Sequence, residues 1–280
     1  MKLGIAIAPA DAPPSTFVVF RDDLKRSIER AADLGYDGVE LALRDASQVD
    51  LAALKGWLAA TGMEVPCISS GQVFAADHLY FTHPDEEIRQ AAVARISGLV
   101  VLAAELGAKV NIGRVRGFIH DGDTPELARS RFMSCLERCA AVAEPLNVEL
   151  IVEPVNRYEI NFLNTCAEVL ETIKASGRSC LKLMPDLFHM NIEESSFRGA
   201  FEAGKEFVAY VHVADNNRLA PGWGQLRFEE IFQILTDIGY DGYITAEILP
   251  KPDPVSAAKQ AAEYLSTMLG RLAQTRPGCA

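Results

Sequence analysis

The sequence lacks a surplus of positive charge: 27 Lys and Arg face 38 Asp and Glu, a formal net charge of −11 over 280 residues. A duplex nucleic-acid binder needs a basic footprint, so no nucleic-acid partner is expected. No apolar stretch reaches the roughly 18 residues that span a bilayer, so no membrane partner is expected either. The apolar run after Met1 breaks at Pro9-Ala10-Asp11, too early for a signal peptide. Cys67, Cys135, Cys139, Cys166, Cys180 and Cys279 form no CxxC pair and no dense spacing. They read as scattered buried thiols in a reducing, cytoplasmic setting. No G-x-G-x-x-G follows any expected strand, which removes support for a dinucleotide fold. No linker or low-complexity stretch cuts the chain, so residues 1–280 read as one domain.

What is present is a rhythm. Short apolar runs alternate with amphipathic segments from end to end. Strands are expected at Leu3 to Ala8, Gly38 to Leu43, Val65 to Ser70, Lys109 to Gly113, Val148 to Val152, Leu181 to Pro185, Val208 to Val213 and Tyr243 to Ile248. Helices are expected at Asp22 to Leu34, Ser47 to Thr61, Asp85 to Leu106, Thr124 to Leu146, Thr165 to Ser176, Ser195 to Gly204, Phe228 to Ile238 and Pro254 to Ala273. The strands are apolar on both faces, as strands covered on both sides should be. Leu34-Gly35-Tyr36-Asp37-Gly38 returns as Ile238-Gly239-Tyr240-Asp241-Gly242, each joining a helix to a strand. Eight such units in about 250 residues predict an α/β fold of the (β/α)8 TIM-barrel type.

The site of such a barrel lies where its strands end. The fifth to eighth apolar runs end in or run into Glu153, Asp186, His212 and Glu247, spaced by 33, 26 and 35 residues. Each spacing is about one βα unit, so the four side chains are expected on one rim. A carboxylate after a strand is often only a helix N-cap. Four polar groups in successive units fit a shared cation better, because three carboxylates repel one another without one. Oxygen-rich ligation suits Mn²⁺ or Mg²⁺ better than structural zinc. His189 shares a loop with Asp186. Arg218 sits in a loop with Pro221-Gly222-Trp223-Gly224, where Trp223 reads equally as packing or as a stacking lid. His78, His83 and His120 read as loop residues.

Glu153-Pro154-Val155-Asn156-Arg157-Tyr158-Glu159, Asp186-Leu187-Phe188-His189-Met190-Asn191-Ile192-Glu193-Glu194 and His212-Val213-Ala214-Asp215-Asn216-Asn217-Arg218 closely resemble the ketose 3-epimerases (D-tagatose and D-psicose 3-epimerases) of the xylose-isomerase-like TIM-barrel superfamily. The likeness covers nearly the whole chain. It implies that Glu153, Asp186, His212 and Glu247 bind Mn²⁺, or Mg²⁺ or Co²⁺ in its place. It implies that Glu153 and Glu247 are the catalytic acid/base pair, and that Glu159, His189 and Arg218 hold the substrate. Ser70-Gly71-Gln72, Thr82 to Arg89 and Ile112-Gly113-Arg114-Val115-Arg116-Gly117 are similar to a subgroup that includes 5-keto-L-gluconate epimerase, which acts on a sugar acid. A guanidinium can hold a carboxylate bidentately, and Arg116 is the preferred partner over Arg114. Ile248-Leu249-Pro250 and Gln225 depart from the neutral-sugar pattern.

The expected function is therefore a metal-dependent isomerase that inverts the carbon beside a ketone, on a small-molecule keto sugar or, preferentially, a keto sugar acid. A neutral ketose 3-epimerase and a hydroxypyruvate isomerase-like aldose–ketose isomerase are the alternatives. An endonuclease IV-like repair enzyme would want a basic groove and more histidines than the five present. Homo-oligomerisation is left open.

Overall fold

The computed structural model describes residues 1–13 and 17–275, with side chains to Leu272; Cys279 lies outside the described residues. Its strands are β1 (Lys2–Ala8), β2 (Phe20–Arg21), β3 (Gly38–Ala42), β4 (Cys67–Ser69), β5 (Lys109–Ile112), β6 (Leu150–Val152), β7 (Leu181–Leu183), β8 (Val211–Val213) and β9 (Tyr243–Ala246). Its helices are α1 (Leu24–Asp33), α2 (Leu51–Thr61), α3 (Gly71–Asp77), α4 (Glu86–Leu106), α5 (Pro125–Ala143), α6 (Cys166–Ser176), α7 (Leu187–Glu193), α8 (Phe197–Gly204), α9 (Phe228–Asp237) and α10 (Pro254–Thr275).

Every expected strand forms. All pairings are parallel, in the order β7-β6-β5-β4-β3-β1-β9-β8, with β2 beside β1. Backbone bonds from Leu183 N to Phe207 O (2.8 Å), Ala209 N to Leu183 O (3.0 Å) and His212 N to Pro185 O (3.0 Å) join the two ends of that order. These bonds close the sheet into the expected barrel.

Local chemistry sets the helix ends. Asp23, Asp50, Asp85, Thr124 and Thr165 each accept a bond from a backbone N–H of the first turn. The two echoing turns work alike: Gly35 and Gly239 take positive φ values of 85° and 77°, and Tyr36 and Tyr240 bury behind them. The main core lies between sheet and helices, where α4 alone buries Ile96, Leu99, Val100 and Ala103. Inside the barrel a smaller cluster of Cys67, Ile151, Met184 and Tyr210 fills the middle layer. The residues two further along these strands form the floor of the site.

Three elements were not expected: β2, α3 and α7. The helix from Thr124 also gives way after Ala143 to a single 3-10 turn, Glu144–Leu146. Among the described residues, the five cysteines are free and buried, and no helix is long and apolar enough to cross a membrane.

Candidate active site

The four strand-end residues meet. Ligand atoms of Glu153, Asp186, His212 and Glu247 all lie within 4.8 Å of one another. Glu153 and Glu247 extend β6 and β9 by one residue, anchored by their backbone N–H groups to Ile112 O and Val213 O. Asp186 does two jobs. One carboxylate oxygen caps α7 by accepting from Phe188 N at 2.8 Å, and the other faces the cluster. The capping and site readings of this residue are thus both satisfied by one side chain.

His212 supplies the imidazole. Its Nδ1 is 3.6 Å from Glu153 Oε1, 3.9 Å from Asp186 Oδ2 and 3.6 Å from Glu247 Oε2, and it has no hydrogen-bond partner. Its Nε2 lies 2.8 Å from Glu40 Oε2. Burial works against a charged ring, but Glu40 and Glu153 outweigh it and hold the pKa up at about 10. Burial also works against the charge on Asp186, yet Arg218 and the two imidazoles hold its carboxyl below the usual range.

Arg218 stands over this cluster. Its backbone is left-handed, with φ 62°. Nη1 donates to Asp186 Oδ2 at 2.7 Å and Nη2 contacts Glu247 Oε2. The guanidinium lies between the rings of Phe17 and Phe188, 5.0 and 4.6 Å from their centroids. The loop that carries it is tied by Asp215, whose carboxylate accepts from the N–H groups of Asn216, Gly222, Gly224 and Leu226. His189 comes from α7. Its Nδ1 is 2.8 Å from the Asn156 amide nitrogen, which also donates to Glu159 Oε1 at 3.0 Å. With Nδ1 accepting, the proton sits on Nε2, 3.6 Å from Asp186 Oδ2. Burial lowers the pKa of this ring. Glu153, Glu247, Glu159, His189, His212 and Arg218 line one cavity.

Arg116 does not join them. It is fully buried, its Nη1 donates to the backbone carbonyl of Glu153, and burial pulls its pKa down to about 10. It is absent from the cavity lining, whereas the sequence reading places it against a substrate carboxylate. Arg114, two residues earlier in the same 3-10 turn, does line it. Its guanidinium lies over the Phe74 ring, 5.9 Å from the centroid. It forms no ion pair among the described residues. Trp223 is partly buried against the core and lies away from this cavity. His83 and His120 pack with Tyr80 and Phe118. His78 ends α3.

Two residues that tie the cluster are not singled out by the sequence reading. Asn111 donates to Glu153 Oε2 at 3.0 Å, and Glu40 holds His212. Each is a polar residue inside a short apolar strand run, which was the available signal. Gly113 makes room beside them: a Cβ there would stand 2.6 Å from Glu153 Oε2.

Residues 28–268 match the family model described as xylose isomerase-like TIM barrel. The chain belongs to that family. It is 30% identical over 232 residues to the D-psicose 3-epimerase of Ruminiclostridium cellulolyticum, covering 80% of this chain and 78% of that one. It is 25% identical over 260 residues to the 3-dehydro-D-guloside 4-epimerase of Escherichia coli, covering 89% and 96%. The structure of a 3-keto-D-glucoside 4-epimerase from E. coli superposes with a TM-score of 0.82 at 24% identity, covering 95% of this chain and 99% of that one, a likeness of fold. Within the xylose isomerase-like family the chain is a sugar epimerase of the ketose 3-epimerase group, and hence an isomerase.

Proposed function

We propose that this epimerase is divalent-metal-dependent and inverts a hydroxyl-bearing carbon beside the ketone of a keto sugar acid. The donor set fits a cation. Three carboxylates crowd around an imidazole nitrogen that is buried without a partner, an arrangement that a divalent ion with oxygen preference would satisfy. Glu153, Asp186, His212 and Glu247 would hold it, with Mn²⁺ preferred and Mg²⁺ or Co²⁺ as substitutes. When bound, such an ion supplies Lewis-acid stabilisation of the charge that develops on a ketone oxygen as the neighbouring proton leaves.

The chain's own groups do the rest. One of the two carboxylates, Glu153 or Glu247, takes the proton from one face of the carbon. The other returns a proton to the opposite face, which inverts the centre and leaves the carbonyl where it was. Asn111 fixes Glu153, and Arg218 fixes Glu247. His189 presents an N–H to substrate oxygen, and Glu159 accepts from a substrate hydroxyl.

One observation supports the acid: the Arg114 guanidinium lines the cavity with no ion-paired carboxylate among the described residues. A partly buried cation without a counter-ion is a ready partner for a substrate carboxylate. The neutral ketose reading draws on the D-psicose 3-epimerase relative, and the relatives are 3-epimerases and a 4-epimerase. Assays of Mn²⁺-loaded protein on keto sugar acids and neutral ketoses, with the product resolved by NMR, decide between them. The acid should be the better substrate by kcat/KM. Preference for the neutral ketose would overturn the substrate reading.

A further inference from the structure

His212 has to offer Nδ1 to the donor set, so its function depends on which ring nitrogen carries the proton. Its other nitrogen meets Glu40, at 2.8 Å. Glu40 is 0% exposed and His212 is 1% exposed, so neither leans on solvent. Glu40 comes from β3, with two strands, β1 and β9, between it and β8 in the barrel order. It approaches the ring from the nitrogen opposite the Glu153, Asp186 and Glu247 carboxylates. It does not line the cavity. The Tyr210 ring packs edge-on against His212, with centroids 5.8 Å apart and planes at 68°, which restricts its rotation.

A carboxylate accepts and does not donate, so Nε2 must carry the proton in this pair. Nδ1 is then the nitrogen that faces the three carboxylates, and it is the one free to give up its proton to a cation bound there. Among the described residues the second Glu40 oxygen has no hydrogen-bond partner within ordinary distance, with the Tyr210 hydroxyl as its polar neighbour, so the bond to His212 is the main one the side chain makes. A buried carboxylate with so little compensation is expensive to keep in a strand where Val or Leu would pack.

We propose that Glu40 is a positioning residue of the metal site, fixing the tautomer and orientation of His212 so that Nδ1 is presented as a ligand. The proposal rests on the metal-dependent reading above. Partners of this kind set ligand basicity as well as direction, and their loss costs about 10–100-fold in metal affinity.

Co²⁺ binding to chelator-treated protein, followed by visible absorption, is the test. Four proteins are compared: wild type, Glu40→Gln, His212→Ala and the double variant. Glu40→Gln keeps the shape and removes the charge. It should bind Co²⁺ about 10–100-fold more weakly with an unchanged far-UV CD spectrum. In the His212→Ala background the same change should cost nothing further, because its route of action is gone. Equal losses in both backgrounds would show a general structural role and overturn the proposal. Should Glu40→Gln fail to fold, ¹⁵N NMR of the Zn²⁺-loaded wild type decides. A proton on His212 Nε2 supports the proposal, and a proton on Nδ1 overturns it. Wild type that takes up no Co²⁺ overturns the metal reading and this proposal with it. Wild type and Glu40→Gln binding Co²⁺ equally overturns this proposal alone.

Discussion

The two ends of the cavity are built differently. At one end the groups proposed to meet substrate and cation stand on strand ends, and nearly every one is tied by a second residue. Asn111 holds Glu153, Glu40 holds His212, Phe188 N holds Asp186 and Arg218 holds Glu247. At the other end Arg114 stands on a single 3-10 turn, against one aromatic ring and, among the described residues, no counter-charge. In the proposed reading, the fully tied end repeats one reaction on any hydroxyketone, and the end with a guanidinium unpaired among the described residues is where substrates are told apart. The family relationship accords with this division, since the relatives named above are all epimerases and differ in their sugars.

The comparison breaks first if the strand-end carboxylates are not the proton-transfer groups. Glu153→Gln and Glu247→Gln should each lower kcat by about 10²–10⁴-fold, on every substrate. In D₂O the wild-type product should carry deuterium at the inverted carbon, which mass spectrometry reads directly. Product without deuterium points to a retained proton or a redox route.

A smaller and more selective effect is expected at the other end. Arg114→Ala should cost about 10–100-fold in kcat/KM on a keto sugar acid, as the loss of a charge-assisted hydrogen bond does. A neutral ketose should be little affected. Arg116→Met sharpens the contrast. That guanidinium supports the Glu153 backbone from inside the protein, so its removal should lower kcat on acid and neutral substrates by the same factor. A substrate-selective loss at Arg116 and none at Arg114 would reverse the assignment.

The smallest effect concerns the loop that carries Arg218. Asp215→Ala strands four backbone N–H groups and should destabilise the protein by about 1–3 kcal/mol in urea unfolding. An unchanged midpoint would mean that the loop holds its shape without the carboxylate.

How far the sequence could be read follows the same division. Strand-end residues were legible because a parallel barrel makes its strands apolar on both faces, and the first polar residue after such a run falls on one rim. Glu153, Asp186, His212 and Glu247 were found that way. Glu40 and Asn111 were not, because a polar residue within a strand faces the interior or the helices according to register, and register is a tertiary property. The elements α3 and α7 have seven residues each, too few for a helical period to show. Arg116 was preferred over Arg114 for a related reason. Successive residues of a 3-10 turn point about 120° apart, so neighbours two positions apart face different surroundings, and composition does not say which one faces the cavity.

The central claim is that four strand-end side chains form one divalent-cation site on which the epimerisation depends. Isothermal titration of chelator-treated protein with Mn²⁺, with activity followed in the same samples, tests it most directly. The account predicts one ion per chain, recovery of turnover in step with binding, and loss of both in Asp186→Asn. Full turnover in the metal-free protein, or Mn²⁺ binding that Asp186→Asn leaves unchanged, would contradict it.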